Sequence, residues 1–448
     1  MLSRNSLNVL FNGFGENVFL SWLLTINLVF IGVLASYLNI PEFYWLGNVL
    51  FLALAFWLAL TSLKQGIRHT FSSFIILLWL LYLIFSFLFL TESFELQKVG
   101  FKDYLMPTLF LYFISYVRFN DFSLELFYKQ IRFISVLQVP FVMHQFFFLA
   151  HNSLAEREMD WDLIAGTFGF NPEGGGGNSA GFLLFQCYFI TLCIARIRKK
   201  LATSFDYVVL FLAAVTIFFI EVKIVLALVF FIMISVLELS DIKKPRIIFT
   251  SFFVAFSFIF LIFYNYNANY STGDREGRGM DEYVTNVYES YFIEEENGHF
   301  DSVEVSRGLA IKIWLAKQTE FWPKEAYIGY GLTSSKGSNE YIPESVMFGS
   351  PLYFASTQFT AYLWDTGVIG VLVLLLLLFS MLKDSAIGRR DSNVYVSIFS
   401  SGSMFIIYSM FLYPVYTLSM HANAISFTVM AFALSTCLSF RMNRAEKL

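Results

Sequence analysis

Lys223 and Arg307 are the two cations of this chain whose settings most need an explanation. Lys223 follows Glu221 in the run Phe219-Ile220-Glu221-Val222-Lys223-Ile224, with almost no polar connection around it. A basic side chain costs about 2.5–3.5 kcal/mol at the centre of a membrane helix, and less near an end where it can snorkel. Snorkelling, or pairing with Glu221, accounts for Lys223 without any function. The functional alternative is an anionic ligand at the membrane surface. Arg307 falls in an early turn of a helix-patterned stretch, where a cation opposes the helix dipole by about 0.3–1 kcal/mol. A surface ion pair with Glu304 or Asp301 is one account of it, and a functional role is the other. Arg275 and Arg278 stand among Gly273, Gly277 and Gly279. A solvated hairpin explains that stretch, with phosphate pairing by the two arginines as the alternative. No His or Cys cluster has metal-ligand spacing, and scattered carboxylates are weak evidence for a cation site. The run Gly174–Gly177 lacks the strand-to-helix setting of a phosphate loop and reads as a flexible connection.

The elements that must position these residues are membrane spans. The 448 residues are 57% hydrophobic and only 14% charged, against about one quarter charged in soluble domains. An all-α, polytopic integral membrane protein follows. A net charge of −4 gives no reason to expect nucleic acid as a partner. Fifty-five phenylalanines suit lipid-facing helices and carry no mechanistic information. Cys187, Cys193 and Cys437 all fall in apolar runs, so no disulfide framework is available. Arg4 precedes an apolar run over 18–38 with no small-residue cleavage site, which reads as a retained first span.

A helix needs about 20 apolar residues to cross the hydrocarbon core. Twelve spans are expected, near 17–38, 43–63, 73–91, 104–117, 132–150, 179–197, 204–220, 223–239, 247–266, 359–382, 394–413 and 422–440. With the N-terminus inside, every short inner connection is basic, from Arg4 through Lys64, Arg118, Arg196, Lys243 and Arg389 to Arg441. Nineteen of the 30 basic residues then lie on the cytoplasmic side, which sets both termini there. The chain divides into nine spans over 1–266, a long extracytoplasmic loop over 267–355, and three spans with a cytoplasmic tail over 356–448. A second outer segment, 151–178, carries Arg157, Asp160 and Asp162.

The long loop holds 14 acidic and 7 basic residues and divides in two. Residues 267–301 read as irregular and solvated. Residues 303–321 predict a helix, with Ser302 as N-cap and Glu304 matching the dipole. Val305, Leu309, Ile313 and Ala316 fall on one side, with Ala310, Trp314, Leu315 and Gln318 on a continuous second one. This broad apolar face must rest on the membrane interface or on the tops of the spans. Pro323 and then Gly329-Tyr330-Gly331 end the helix and force a turn.

Four elements, in order, resemble the O-antigen polymerase and O-antigen ligase superfamily of lipid-linked glycan transferases. Gly166-Thr167-Phe168-Gly169-Phe170-Asn171-Pro172, then Asn178-Ser179-Ala180-Gly181, is similar to that family's G-T-F-x-N-P-N-x-x-G, with a glycine-rich insertion. Lys223 precedes an apolar span where most members carry Ser-Arg. Ser306-Arg307, Trp314, Pro323 and Gly329-Tyr330-Gly331 resemble the S-R, W, P and G-x-G of the family's long periplasmic loop. Ala361-Tyr362-Leu363-Trp364-Asp365-Thr366-Gly367-Val368-Ile369-Gly370 resembles its Y-L … E-x-G-x-x-G span start. The resemblance covers roughly 160–375. One departure counts: ligases of this superfamily carry His-Asn where this chain has Ser356-Thr357, which leans toward a repeat-unit polymerase. His299 and His421 lie off that motif.

The resemblance implies a GT-C-like glycosyltransferase architecture in the bacterial cytoplasmic (inner) membrane. It implies glycan donors and acceptors linked through pyrophosphate to a polyprenyl lipid such as undecaprenyl, with a chain-length regulator as a further partner. The product would be O-antigen of lipopolysaccharide, capsule or exopolysaccharide. The alternatives are ligase-type transfer of finished glycan to an acceptor, and a transporter or flippase of lipid-linked sugars. Arg307 and Lys223, with Arg157 or Arg278 as a third, would bind pyrophosphate and steady the charge on the leaving group. Glu304, Asp301, Asp365 and His299 are the candidates to take the acceptor's proton. Asp365 has a second reading, as an anchor between the loop and its span. No metal and no cofactor is implied.

Overall fold

The computed structural model describes residues 29–30, 32–37, 70–115, 121–150, 164–169, 177–220, 225–238, 243–270, 307–320, 323–335, 347–348, 350–351 and 358–412, with single positions at 40, 43, 46, 49, 53, 56, 241, 341 and 343. Among these the fold is helical, apart from a two-residue antiparallel pair, β1 (Met347–Phe348) and β2 (Ser350–Pro351). Five helical stretches among the described residues are long and apolar enough to cross a membrane: Phe71–Phe89, Asp121–Leu149, Ser179–Arg198, Phe359–Gly388 and Val394–Phe411.

The helices are α1 (Gly32–Tyr37), α2 (Phe71–Phe89), α3 (Phe94–Gly100), α4 (Met106–Ile114), α5 (Asp121–His144), α6 (Gly177–Arg198), α7 (Ser204–Ile220), α8 (Val225–Val236) and α9 (Pro245–Tyr270). After them come α10 (Arg307–Glu320), α11 (Pro323–Ile328), α12 (Gln358–Gly388) and α13 (Val394–Leu412). α2 shows why they form. Thr70 and Ser73 close a reciprocal capping box, with Thr70 Oγ1 accepting from the Ser73 N–H at 3.1 Å and Ser73 Oγ from the Thr70 N–H at 2.7 Å. Ile75, Ile76, Trp79, Leu80 and Leu83 are buried, while Phe74, Leu78, Leu81, Phe85 and Leu88 are exposed. A helix that is apolar on its exposed face as well suits lipid better than water. α9 repeats this, with Phe249, Phe253, Phe256 and Phe260 exposed along one side.

α6 is the hub and the most buried of the five crossing stretches. It packs against α5, α7, α8 and α13. The approach to α13 is close: a Cβ on Gly402 would stand 2.5 Å from the Tyr188 ring and 2.8 Å from Leu192. Small residues at such crossings let helices gain packing where lipid offers no hydrophobic drive. α12 joins this group through α13 and carries a second group, in which it packs against α2, α10 and α11. Gly367, at φ 63° and ψ −173°, breaks α12 near its start.

One end of the bundle is tied by charge. Asp206, fully buried, accepts from Arg132 Nη1 at 2.8 Å, Tyr128 Oη at 2.9 Å and the Thr203 N–H at 2.6 Å. Arg196 donates to Glu125 at 2.7 Å and lies 4.1 Å over the Tyr128 ring. Arg198 pairs with Asp241, and Arg389 donates to the carbonyls of Ile234, Ser235 and Leu237 at the end of α8. Asn393 donates to Asp121 at 2.7 Å, so α5, α6, α7, α8, α12 and α13 are all held at this basic end.

The helices depart from the sequence reading at the start of α5, which begins at Asp121 and not near 132, and in two further places. The expected span over 104–117 belongs to a longer run that starts at the Ser93 cap, passes through α3 and a π-turn (Phe101–Leu105), and ends with α4. Glu95, Lys98, Lys102 and Asp103 depress the apolar signal there, yet Lys98–Glu95 (2.7 Å) and Lys102–Asp103 (3.4 Å) pair within the run. The segment 151–178 was expected to be an outer connection throughout, but 164–169 is buried inside the bundle. The span expected at 422–440, and most of those at 17–38 and 43–63, lie outside the described residues.

Candidate functional site

The end opposite the basic one is built differently, by two backbone segments seated among helix tops. The first is 329–335, which follows α10 and α11 and folds onto the break in α12. The N–H groups of Tyr330 and Gly331 donate to the carbonyls of Trp364 and Asp365 at 2.9 and 3.1 Å. The Tyr330 ring stacks on Trp364 at 5.3 Å. Gly329 (φ 80°), Gly331 (φ 101°) and Gly367 (φ 63°) occupy left-handed conformations. A Cβ on Gly329 would run into the Asp365 carbonyl, and one on Gly367 would stand 2.5 Å from the Gly329 nitrogen and the Tyr327 oxygen. Only glycine fits such a contact at such a dihedral.

Asp365 fastens this segment. Its carboxylate, fully buried, accepts from Tyr104 Oη at 2.6 Å, from the Thr333 N–H at 3.0 Å and from the Ser335 N–H at 2.7 Å. Thr333 is held at φ 64°, an outlier for a β-branched residue, with Oγ1 donating to the Leu96 carbonyl at 3.1 Å. Tyr82 Oη donates to the carbonyls of Thr366 and Ile328 at 2.6 and 3.1 Å, joining α2 to both sides of the contact. The Leu332 N–H donates to Thr91 Oγ1 at 3.1 Å. Loop backbone at this depth would otherwise carry unsatisfied polar groups, and these side chains meet that need.

The second segment is the 3-10 turn Gly166–Phe168, seated between α1, α5 and α6. Two glutamines of the α5 run clamp it. Gln145 Oε1 accepts from the Ala165 and Gly166 N–H groups at 3.1 and 2.7 Å, while its Nε2 donates to the Gly166 carbonyl at 2.7 Å. Gln138 accepts from the Thr167 N–H and donates to Thr167 Oγ1, both at 2.8 Å. Gly166 and Gly169 have positive φ, and Phe168 meets Phe182 edge-on at 5.6 Å. α5 passes into a π-turn (Gln145–Ala150) at this point, and such turns recur at functional sites. Six of the seven positive-φ residues among those described lie at this end; the seventh, Lys200, is at the basic end.

The structure places the candidate residues unevenly. Asp365 is at the centre of the first contact, where the Tyr104 hydroxyl and the Thr333 and Ser335 N–H groups donate to it. Arg307 is the first residue of α10, and Ala310 and Trp314 are buried among the side chains of that helix that are described. Leu315, expected on the apolar face, is exposed. Glu304, Asp301, His299, Arg157, Arg278, Lys223, Ser302 and Ser356-Thr357 lie outside the described residues. Lys223 is bracketed by Ile220 and Val225, at the ends of α7 and α8. Phe219 there meets Phe146 of the π-turn at 4.7 Å, on the side of the Gly166 turn. Among the described residues no group of three or more His, Cys, Asp or Glu could hold a metal ion.

Sequence reasoning missed Gln138, Gln145, Tyr82 and Tyr104. The glutamines had a readable signal, being two amides seven residues apart in an apolar run, on one helix face, where a polar side chain must find a partner. The tyrosines had none. What the described residues offer at this end is irregular backbone clamped by buried side chains. No protein-family model matches the chain, and no curated protein does either.

Proposed function

We propose that this protein is a twelve-span, GT-C-like membrane glycosyltransferase that polymerises polyprenyl-pyrophosphate-linked oligosaccharide repeat units at the outer face of the bacterial cytoplasmic membrane. The observation that carries the reading is the contact between Gly329-Tyr330-Gly331 and Trp364-Asp365-Thr366-Gly367. Two motifs far apart in sequence, both resembling those of lipid-linked glycan transferases, meet backbone to backbone. The Gly166-Thr167-Phe168 turn, which carries a third, is seated at the same end. The gathering of Arg132, Arg196, Arg198 and Arg389 at the other end supports a cytoplasmic placement for it.

In this reading the acceptor sugar's hydroxyl attacks the anomeric carbon of the growing glycan. The bond from that carbon to the pyrophosphate oxygen breaks, and the pyrophosphate leaves on its lipid. Arg307 and Lys223 offset its developing charge, with Arg157 or Arg278 as a third donor. Glu304, Asp301 or His299 takes the hydroxyl proton, while Asp365 holds the loop. A chain-length regulator is the expected protein partner.

The test is complementation of a deletion strain, read as the length distribution of surface glycan on a gel with protein levels matched by membrane blot. Arg307→Ala and Lys223→Ala should each cost about 10²–10³ in rate and leave single-repeat glycan. Long chains from both variants would overturn the assignment of these residues. Long lipid-linked polymer left unattached in the deletion strain would identify a ligase, and unpolymerised units held on the cytoplasmic face a transporter.

A further inference from the structure

We infer that Asp365 is a positioning residue, one that sets the place of α10, and so of Arg307, by holding 329–335 to the broken start of α12; this rests on the reading of Arg307 given above. The geometry is specific to a carboxylate. Both oxygens are used, one by the Ser335 N–H and the other by the Thr333 N–H and Tyr104 Oη. An asparagine has the same shape but only one accepting oxygen. Turned one way, its amide nitrogen faces the Thr333 N–H, and turned the other way it faces the Ser335 N–H. Tyr104 can rotate its hydroxyl to accept, but a main-chain N–H cannot. Asp365→Asn must therefore lose a main-chain hydrogen bond in either orientation.

That loss reaches Arg307 through few intermediates. α11 ends at Ile328, directly before the clamped segment, and α10 packs against α11 and α12. Leu332 and Thr333 pin the same segment to the 91–96 region, so its register depends on two neighbours at once. Asp365 touches no substrate in this scheme. Its carboxylate is spent on the chain itself.

The experiment pairs hydrogen exchange on the full-length protein in lipid nanodiscs with the complementation gel, for Asp365→Asn, Arg307→Ala and the double variant. In Asp365→Asn, amide exchange over 329–335 should quicken at least tenfold while α6 keeps its protection, and long-chain glycan should fall at least tenfold. The double variant should be no worse than Arg307→Ala alone, since a residue that acts through another adds nothing once that other is gone. Unchanged exchange over 329–335 overturns the anchor. Quickened exchange with full-length glycan overturns the positioning role, and so does a double variant whose defect is the product of the two single ones. Normal glycan from Arg307→Ala breaks the proposed role of Arg307 instead, and the exchange result then decides the anchor alone.

Discussion

The two ends of this bundle solve one problem in opposite ways. At the basic end, carboxylates face arginines: buried Asp206 with Arg132, half-buried Glu125 with Arg196, buried Asp241 with Arg198. The first two pairs join α5 to α7 and to α6, and the third ties the end of α6 to the connection after α8, so these contacts set how the spans stand against one another. At the other end the ties are side chain to backbone. Gln145 and Gln138 hold 164–169, and Asp365 and Tyr82 hold 328–335. They seat irregular chain on helices that already have their places. Damage at the first end should therefore loosen the whole molecule, and damage at the second should loosen one segment.

The sharpest way to break that contrast is Asp206→Ala. It leaves Arg132 facing a gap and Tyr128 and Thr203 without their acceptor, and breaking a buried ion pair costs about 3–5 kcal/mol. A large fall in thermal midpoint in detergent, with exchange quickened across α5, α6 and α7 together, is expected. A change confined to residues near 203–206 would contradict the division between the ends. Next is Gln145→Leu, which strands two N–H groups and a carbonyl at about 1–3 kcal/mol for each buried group left unsatisfied. Exchange at 165–167 should rise sharply while the midpoint moves less than for Asp206→Ala. Gly329→Ala should cost about 1–3 kcal/mol for a left-handed non-glycine residue, more where the Asp365 carbonyl cannot give. Proteolysis at Lys324, which is exposed, would report it, and an unchanged cleavage rate would remove the need for glycine there.

The smallest effect is an acid one. Burial of the Asp241 carboxyl would raise its pKa, but the Glu238 N–H and Arg198 outweigh this and hold it below the ordinary 3.8. A lowered pKa means the stabilisation is fully present above about 3.8 and is lost as pH falls through the folded value. Below pH 4 the thermal midpoint should drop, and Asp241→Asn should flatten part of that drop. An identical acid profile in the variant would discount this pair.

These outcomes bear on what the sequence makes legible. Apolar length alone places α2, α6, α7 and α13 to within two residues at both ends, and α12 at its start but not at its end, because lipid-length helices leave few alternatives. The α5 helix begins eleven residues earlier than expected, at Asp121, since Glu125, Lys129 and Arg132 read as solvent residues until their partners are seen. The α3–α4 run was hidden in the same way by its own ion pairs. The two amides of the α5 run announce that they need partners, but not that these are backbone and hydroxyl groups of 165–167, 20 to 29 residues later, so the burial of 164–169 stayed hidden. The site was half legible. The glycines of 329–331 and 367 and the carboxylate of Asp365 stand in recognisable motifs, but their mutual contact is a tertiary fact.

The central position of α6 has a consequence in time. Its closest partner, α13, is made about 200 residues later, which at 5–20 residues per second is on the order of 10–40 s of synthesis. For that interval Tyr188 and Leu192, both buried in the finished fold, have no Gly402 surface to pack against. A nascent chain at that stage holds a half-covered hub. Whatever guards α6 until α13 arrives, be it the insertion machinery or a second copy of the chain, governs how much of this protein reaches its final form.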